Sequence, residues 1–151
     1  MKTLVIIING IHLPYAVIDH AIELAAKESY QVNALFLRSQ KEPKKGYLFP
    51  SDLETTHSKN YDAQATLEDE KIMDDNMRLV KEMVESEKIP YQASLRTNAS
   101  MNDIEKDTAT ADLIIVDKDF DNPSLLSDSK ISLKELANKL SGRLKVLPGT
   151  S

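Results

Sequence analysis

The sequence predicts an α/β fold: one doubly wound, five-stranded parallel sheet with helices on both faces. Two observations carry this. The runs Leu4 to Ile8 and Leu113 to Val116 are apolar without a break and mostly β-branched, as befits strands buried on both faces at the centre of a parallel sheet. Strand-like and helix-like segments also alternate along the whole chain, which is the pattern of repeated βαβ units.

The first strand runs from Lys2 to Ile8 and passes into Asn9-Gly10, a tight turn. Tyr15 to Ser29 follows as a helix, with Val17, Ala21, Leu24 and Ala25 on one face and Ile18 and Ile22 widening it. Pro14 suits its first turn. Tyr30 to Leu37 is the second strand. The stretch from Arg38 to Thr66 is polar, carries Pro43, Gly46 and Pro50, and reads as a long loop. Leu67 to Lys88 is an amphipathic helix with Met73, Met77, Val80 and Val84 on one stripe, closed by Ile89-Pro90.

Tyr91 to Arg96 forms a short third strand. Ser100 and Asp103 make a capping box for a small helix bearing Met101, Ile104 and Thr108. The fourth strand is Asp112 to Val116. Leu133, Leu136, Ala137 and Leu140 mark the last helix, which Gly142 closes. Arg143 to Leu147 is the fifth strand, and its alternating charges place it at a sheet edge. No repeat or low-complexity tract interrupts this single domain spanning residues 1–151.

At 151 residues, a net charge of -5 argues against nucleic acid or an anionic membrane as partner. The chain has no cysteine, which removes thiolate nucleophiles and thiolate metal ligands. The run at Leu4 to Ile8 is too short for a signal-peptide core or a membrane span. A cytoplasmic protein is expected.

In a doubly wound sheet, ligands bind beyond the carboxyl ends of strands where the strand order reverses. The candidate pocket therefore begins at Asn9 and Gly10 and continues in the acidic tip after the fourth strand, Asp117-Lys-Asp-Phe-Asp121. Asn9 offers an amide to a base or ribose, but Asn-Gly also suits a plain turn. His12 stands near enough to act as a base, yet has no visible nucleophile to serve, and a loop histidine is ordinarily solvated. His20 and His57 lack ligand spacing. Asp117, Asp119 and Asp121 alternate like calcium ligands, but Asn122 and Asp128 stand where an EF-hand needs glycine and glutamate, so a solvated turn and no metal is the reading. A phosphoacceptor receiver is excluded in its usual form by Asn9 and by Thr97-Asn98. Lys41, Lys44 and Lys45 beside Tyr47, Phe49 and Tyr61 suit a solvated loop better than a nucleic-acid grip. The methionine stripe reads as core filling.

The layout from Lys2 to Val146, above all Ala111-Asp-Leu-Ile-Ile-Val116 and its spacing to the fifth strand, resembles the universal stress protein family. The resemblance implies strand order 3-2-1-4-5. It also implies, for ATP-binding members, an aspartate after strand one and a G-x2-G-x9-G-[ST] loop after strand four. Those loop positions fall on Asp117, Phe120, Lys130 and Ile131, and the aspartate on Asn9. Glycines there let backbone N–H groups close on phosphate oxygens. Asp117 brings a charge instead, repelling a phosphate by about 3 kcal/mol at roughly 5 Å and an effective dielectric near 20. A micromolar ligand has only about 8 kcal/mol in all. Phe120 obstructs the backbone and Ile131 lacks a hydroxyl. Lys118 and Lys130 offset some charge but none of the steric conflict.

No ATP, no cofactor and no catalytic residue is expected. The primary reading is a non-catalytic stress-response protein acting through contacts with an unknown protein partner. The alternative is a sensor of a small ligand or altered nucleotide, using Asn9, Gly10 and the residues after strand four. A hydrolase finds no nucleophile or metal set. The resemblance further implies a homodimer through the fifth strand, Arg143, Leu144, Lys145, Val146 and Leu147. A register centred on Lys145 stacks two like charges there, and one centred on Leu144 or Val146 relieves that clash.

Overall fold

The computed structural model of the chain describes residues 2–10, 12–38, 56–120, 131–140 and 142–147, with backbone alone for residues 56–69. Its elements are β1 (Lys2–Asn9), α1 (Tyr15–Glu28), β2 (Tyr30–Arg38), α2 (Thr56–Glu85), β3 (Tyr91–Thr97), α3 (Met101–Asp107), β4 (Leu113–Asp117), α4 (Leu133–Lys139) and β5 (Leu144–Leu147). All five strands pair in parallel, in the order β3-β2-β1-β4-β5. The expected sheet and strand order are therefore present.

Side chains of a strand alternate between faces, so β1 feeds two cores at once. Leu4, Ile6 and Ile8 point into a cluster with Val17, Ile18 and Ala21 of α1 and Met73, Val80 and Val84 of α2. Val5 and Ile7 point the other way, into a cluster with Ile104 of α3 and Leu136 of α4. Ile6 sits opposite Ala34 of β2 and Ile115 of β4, and Leu4, Ile6, Ile114 and Ile115 are all fully buried. Unbroken apolar runs in β1 and β4 are what two covered faces require.

The ends of the elements follow local chemistry. Ser100 and Asp103 form the capping box of α3, and Ser132 caps α4 by accepting from the Glu135 N–H. Ser29 closes α1 in the left-handed region. Gly142, between α4 and β5, has φ +91°, a conformation glycine adopts without strain.

One expectation is corrected. The helix read from Leu67 begins at Thr56 instead, so the segment from Thr56 to Thr66 belongs to α2 and not to a loop. That segment contains neither proline nor glycine, and adding turns to a helix already nucleated costs little even for indifferent residues. The rest of the expected loop, including Lys41, Lys44, Lys45, Tyr47 and Phe49, lies outside the described residues, as do the side chains of His57 and Tyr61.

Candidate functional site

The strand order reverses at β1, between β2 and β4, so the site a doubly wound sheet offers lies at the carboxyl ends of β1 and β4. Asn9, Gly10, Asp117, Lys118, Phe120 and Ile131 are described there; Lys130 and Asp121 lie outside the described residues. Gly10 continues the β1 ladder by donating its N–H to the Leu37 carbonyl at 2.8 Å and turns the chain with φ +75°. That positive φ is the local reason for glycine at this place.

Asn9 is buried, and its Nδ2 donates to the Phe120 carbonyl at 2.8 Å. This bond ties the end of β1 to the turn after β4. The turn is closed by the Phe120 N–H on the Asp117 carbonyl at 3.0 Å. Asp117 is only 6% exposed, and its Oδ1 accepts from the Asp119 N–H at 3.1 Å. The reading of this tip as a solvated turn is thus corrected at Asp117: the strand end draws the carboxylate inward, where a backbone donor of its own loop meets it. The Lys118 N–H donates to the Leu147 carbonyl at 2.7 Å, holding the same turn against β5, while the rest of Lys118 is exposed.

Phe120 and Ile131, 3% and 6% exposed, belong to the cluster of Val116, Leu136 and Leu140. At two of the four positions where the resemblance places the phosphate loop, Phe120 and Ile131, this chain has core side chains. The structure brings Asn9 and Phe120 into contact and sends Phe120 and Ile131 into the packing between the sheet and α4.

His12, two residues past Gly10, is only half-buried, yet its Nε2 is closed off from solvent and has no hydrogen-bond partner. Its reading as a plainly solvated loop histidine is corrected to that extent. Tyr15, at the first turn of α1, is 53% exposed. Neither placement was legible in the sequence, because nothing periodic governs a single residue beyond a turn.

A cavity of about 100 Å³ lies elsewhere, on the α3 side of β2 and β3, lined by Val5, Asn33, Leu35, Gln92, Ser94 and Asp107. Ligand pockets usually measure about 300–1,000 Å³. The Asp107 carboxylate there is already held by Arg96 through two 2.7 Å bonds. Among the described residues no group of three histidine or acidic side chains is placed to hold a metal ion, and no helix is long and apolar enough to cross a membrane.

No family model matches the sequence, and no curated protein matches it. Solved structures do. The chain is similar to the universal stress protein UspA from Lactobacillus plantarum, at 16% identity and a TM-score of 0.61 over 97% of both chains. It is similar to the universal stress protein from Archaeoglobus fulgidus in complex with dAMP, at 12% identity and a TM-score of 0.57 over 97% of both chains. A protein of the same family from Burkholderia pseudomallei covers 97% of this chain and 96% of its own, at 15% identity and a TM-score of 0.56. At these identities the likeness is one of fold: the chain has the universal stress protein fold.

Proposed function

We propose that this chain is a cytoplasmic member of the universal stress protein family, acting in a stress response through contacts with other proteins, without binding ATP and without catalysis. The observation that supports this most is the fate of Phe120 and Ile131. Both are core side chains, Phe120 at a position where the resemblance gives an ATP-binding member a glycine, and Ile131 where it gives a serine or threonine hydroxyl. The Asn9 amide, spent on the Phe120 carbonyl, adds to it. In this reading the chain is a single domain that works as a homodimer.

The second reading, a sensor of a small ligand or altered nucleotide, draws on two observations. The similar protein from Archaeoglobus fulgidus is in complex with dAMP, and the solvent-closed Nε2 of His12 is unpartnered beside the same strand end.

Thermal melting with millimolar Mg-ATP, with dAMP and with sulfate separates the two. The primary reading expects no shift with any of them. A ligand at a hundredfold excess over its dissociation constant stabilises by about 2.7 kcal/mol, so binding is easily seen. A shift with dAMP alone moves the assignment to the sensor, and a shift with Mg-ATP overturns the primary reading.

A further inference from the structure

We infer that the outer edge of β3 is a self-pairing surface, on which a second copy of this chain docks antiparallel about a two-fold axis at Ser94. The direction of the backbone comes first. The Val32 N–H donates to the Pro90 carbonyl and the Asn98 N–H to the Arg38 carbonyl, so the even-numbered residues of β3 bond to β2. The N–H and C=O groups of Tyr91, Ala93, Leu95 and Thr97 therefore face outward.

Edges that must stay single carry proline, bulges, several charges or very few residues. β3 has seven residues and no proline, and its one charge, Arg96, is engaged by Asp107. β5 has four residues, with Lys145 exposed among them. A two-fold at Ser94 sets Ala93 opposite Leu95 and Tyr91 opposite Thr97, each pair joined through outward backbone groups. Gln92 falls opposite Arg96 on the other face. No like charges meet, whereas the equivalent register of β5 stacks two copies of Lys145. Leu95, 37% exposed, gains a cover.

The helix above fits the same symmetry. α2 runs opposite to the strands over β2 and β3, so its flank toward β3 carries Glu70, Asp74, Arg78 and Lys81 in that order. Joining two sheets at β3 brings α2 beside its own copy at about the 10 Å spacing of packed helices. The antiparallel arrangement then sets Glu70 and Asp74 against Arg78 and Lys81 of the copy.

The absence of cysteine makes the test clean. Across the axis the two Ser94 form a non-hydrogen-bonded pair with Cα atoms about 4.5 Å apart, within disulfide reach. The wild type is expected to show twice the chain mass by light scattering. Ser94→Cys is expected to become a disulfide-linked dimer under mild oxidation, while Lys145→Cys and Val146→Cys stay unlinked. Ala93→Pro removes an outward N–H without touching the β2 ladder and should give a monomer with an unchanged circular dichroism spectrum. A wild type that is monomeric at the highest attainable concentration overturns the proposal. So does linkage at Lys145→Cys or Val146→Cys without linkage at Ser94→Cys.

Discussion

Asn9 and Tyr91 show how one atom decides what a buried polar residue contributes. Asn9 has a donor aimed at a carbonyl, and Asn9→Asp replaces that donor with an acceptor facing the Phe120 oxygen. The variant should lose about 1–3 kcal/mol, the cost of a buried polar group left without its partner, read as a lower urea midpoint at pH 7. Tyr91 is the opposite case. Its ring packs against the α1/α2 core, but its hydroxyl is closed off from solvent with no partner. Burial, with a smaller contribution from Glu85, pushes its pKa from 10.0 up to about 12. Tyr91→Phe is expected to be more stable by about 1 kcal/mol at pH 7. The unfolded tyrosine ionises near pH 10 and the folded one near 12, so between those values the unfolded chain holds fewer protons and the wild type loses stability as pH rises. The advantage of Tyr91→Phe should therefore widen from pH 10 to 12. A gap independent of pH in denaturant titrations across that window contradicts this account.

At the scale of elements, α3 depends on its two ends. Its capping box was legible from Ser100 and Asp103 alone, and hydrogen bonds from Ser100 hold the Asp103 carboxyl below its ordinary pKa. Its carboxyl end was not legible. Arg143, just ahead of β5, donates from Nη1 to the carbonyls of Thr108 at 2.8 Å, Ala111 at 3.1 Å and Ala109 at 3.3 Å. Read as an edge-strand charge, Arg143 instead secures the turn between α3 and β4. Charged donors bonded to helix-end carbonyls contribute more than neutral ones, so Arg143→Ala should cost about 2 kcal/mol. Amide exchange at Thr108 and Ala111 should quicken well before that of β1. Arg143→Lys, with one compact ammonium in place of a fork, should recover part of this.

At the scale of the molecule, one sheet divides two cores, and β1, β2 and β4 are its interior strands, the ones that carry buried apolar side chains on both faces. β3 and β5 are edges, and the exposure of Leu95 and Val146 follows from having a neighbour on one side only. The carboxyl ends of β1 and β4 lie side by side, as the strand order demands, and Phe120 and Ile131 pack into the α3/α4 core.

The sequence by itself determined the fold class, the strand order once the family resemblance was recognised, and the cap at Ser100. Those features are local or periodic, and burial on two faces leaves an uninterrupted apolar run that no surface strand would show. The start of α2 was misread because polar residues without proline or glycine are equally compatible with helix and loop. Only the tertiary structure decided that Asn9 bonds Phe120, 111 positions away, that Arg143 reaches the end of α3, and that Phe120 packs inward where its acidic neighbours suggested a surface tip. Such pairings join segments whose local signals are silent about one another. Their partners are fixed only when the sheet registers set which side chains share a face and which carbonyls lie within a donor's reach.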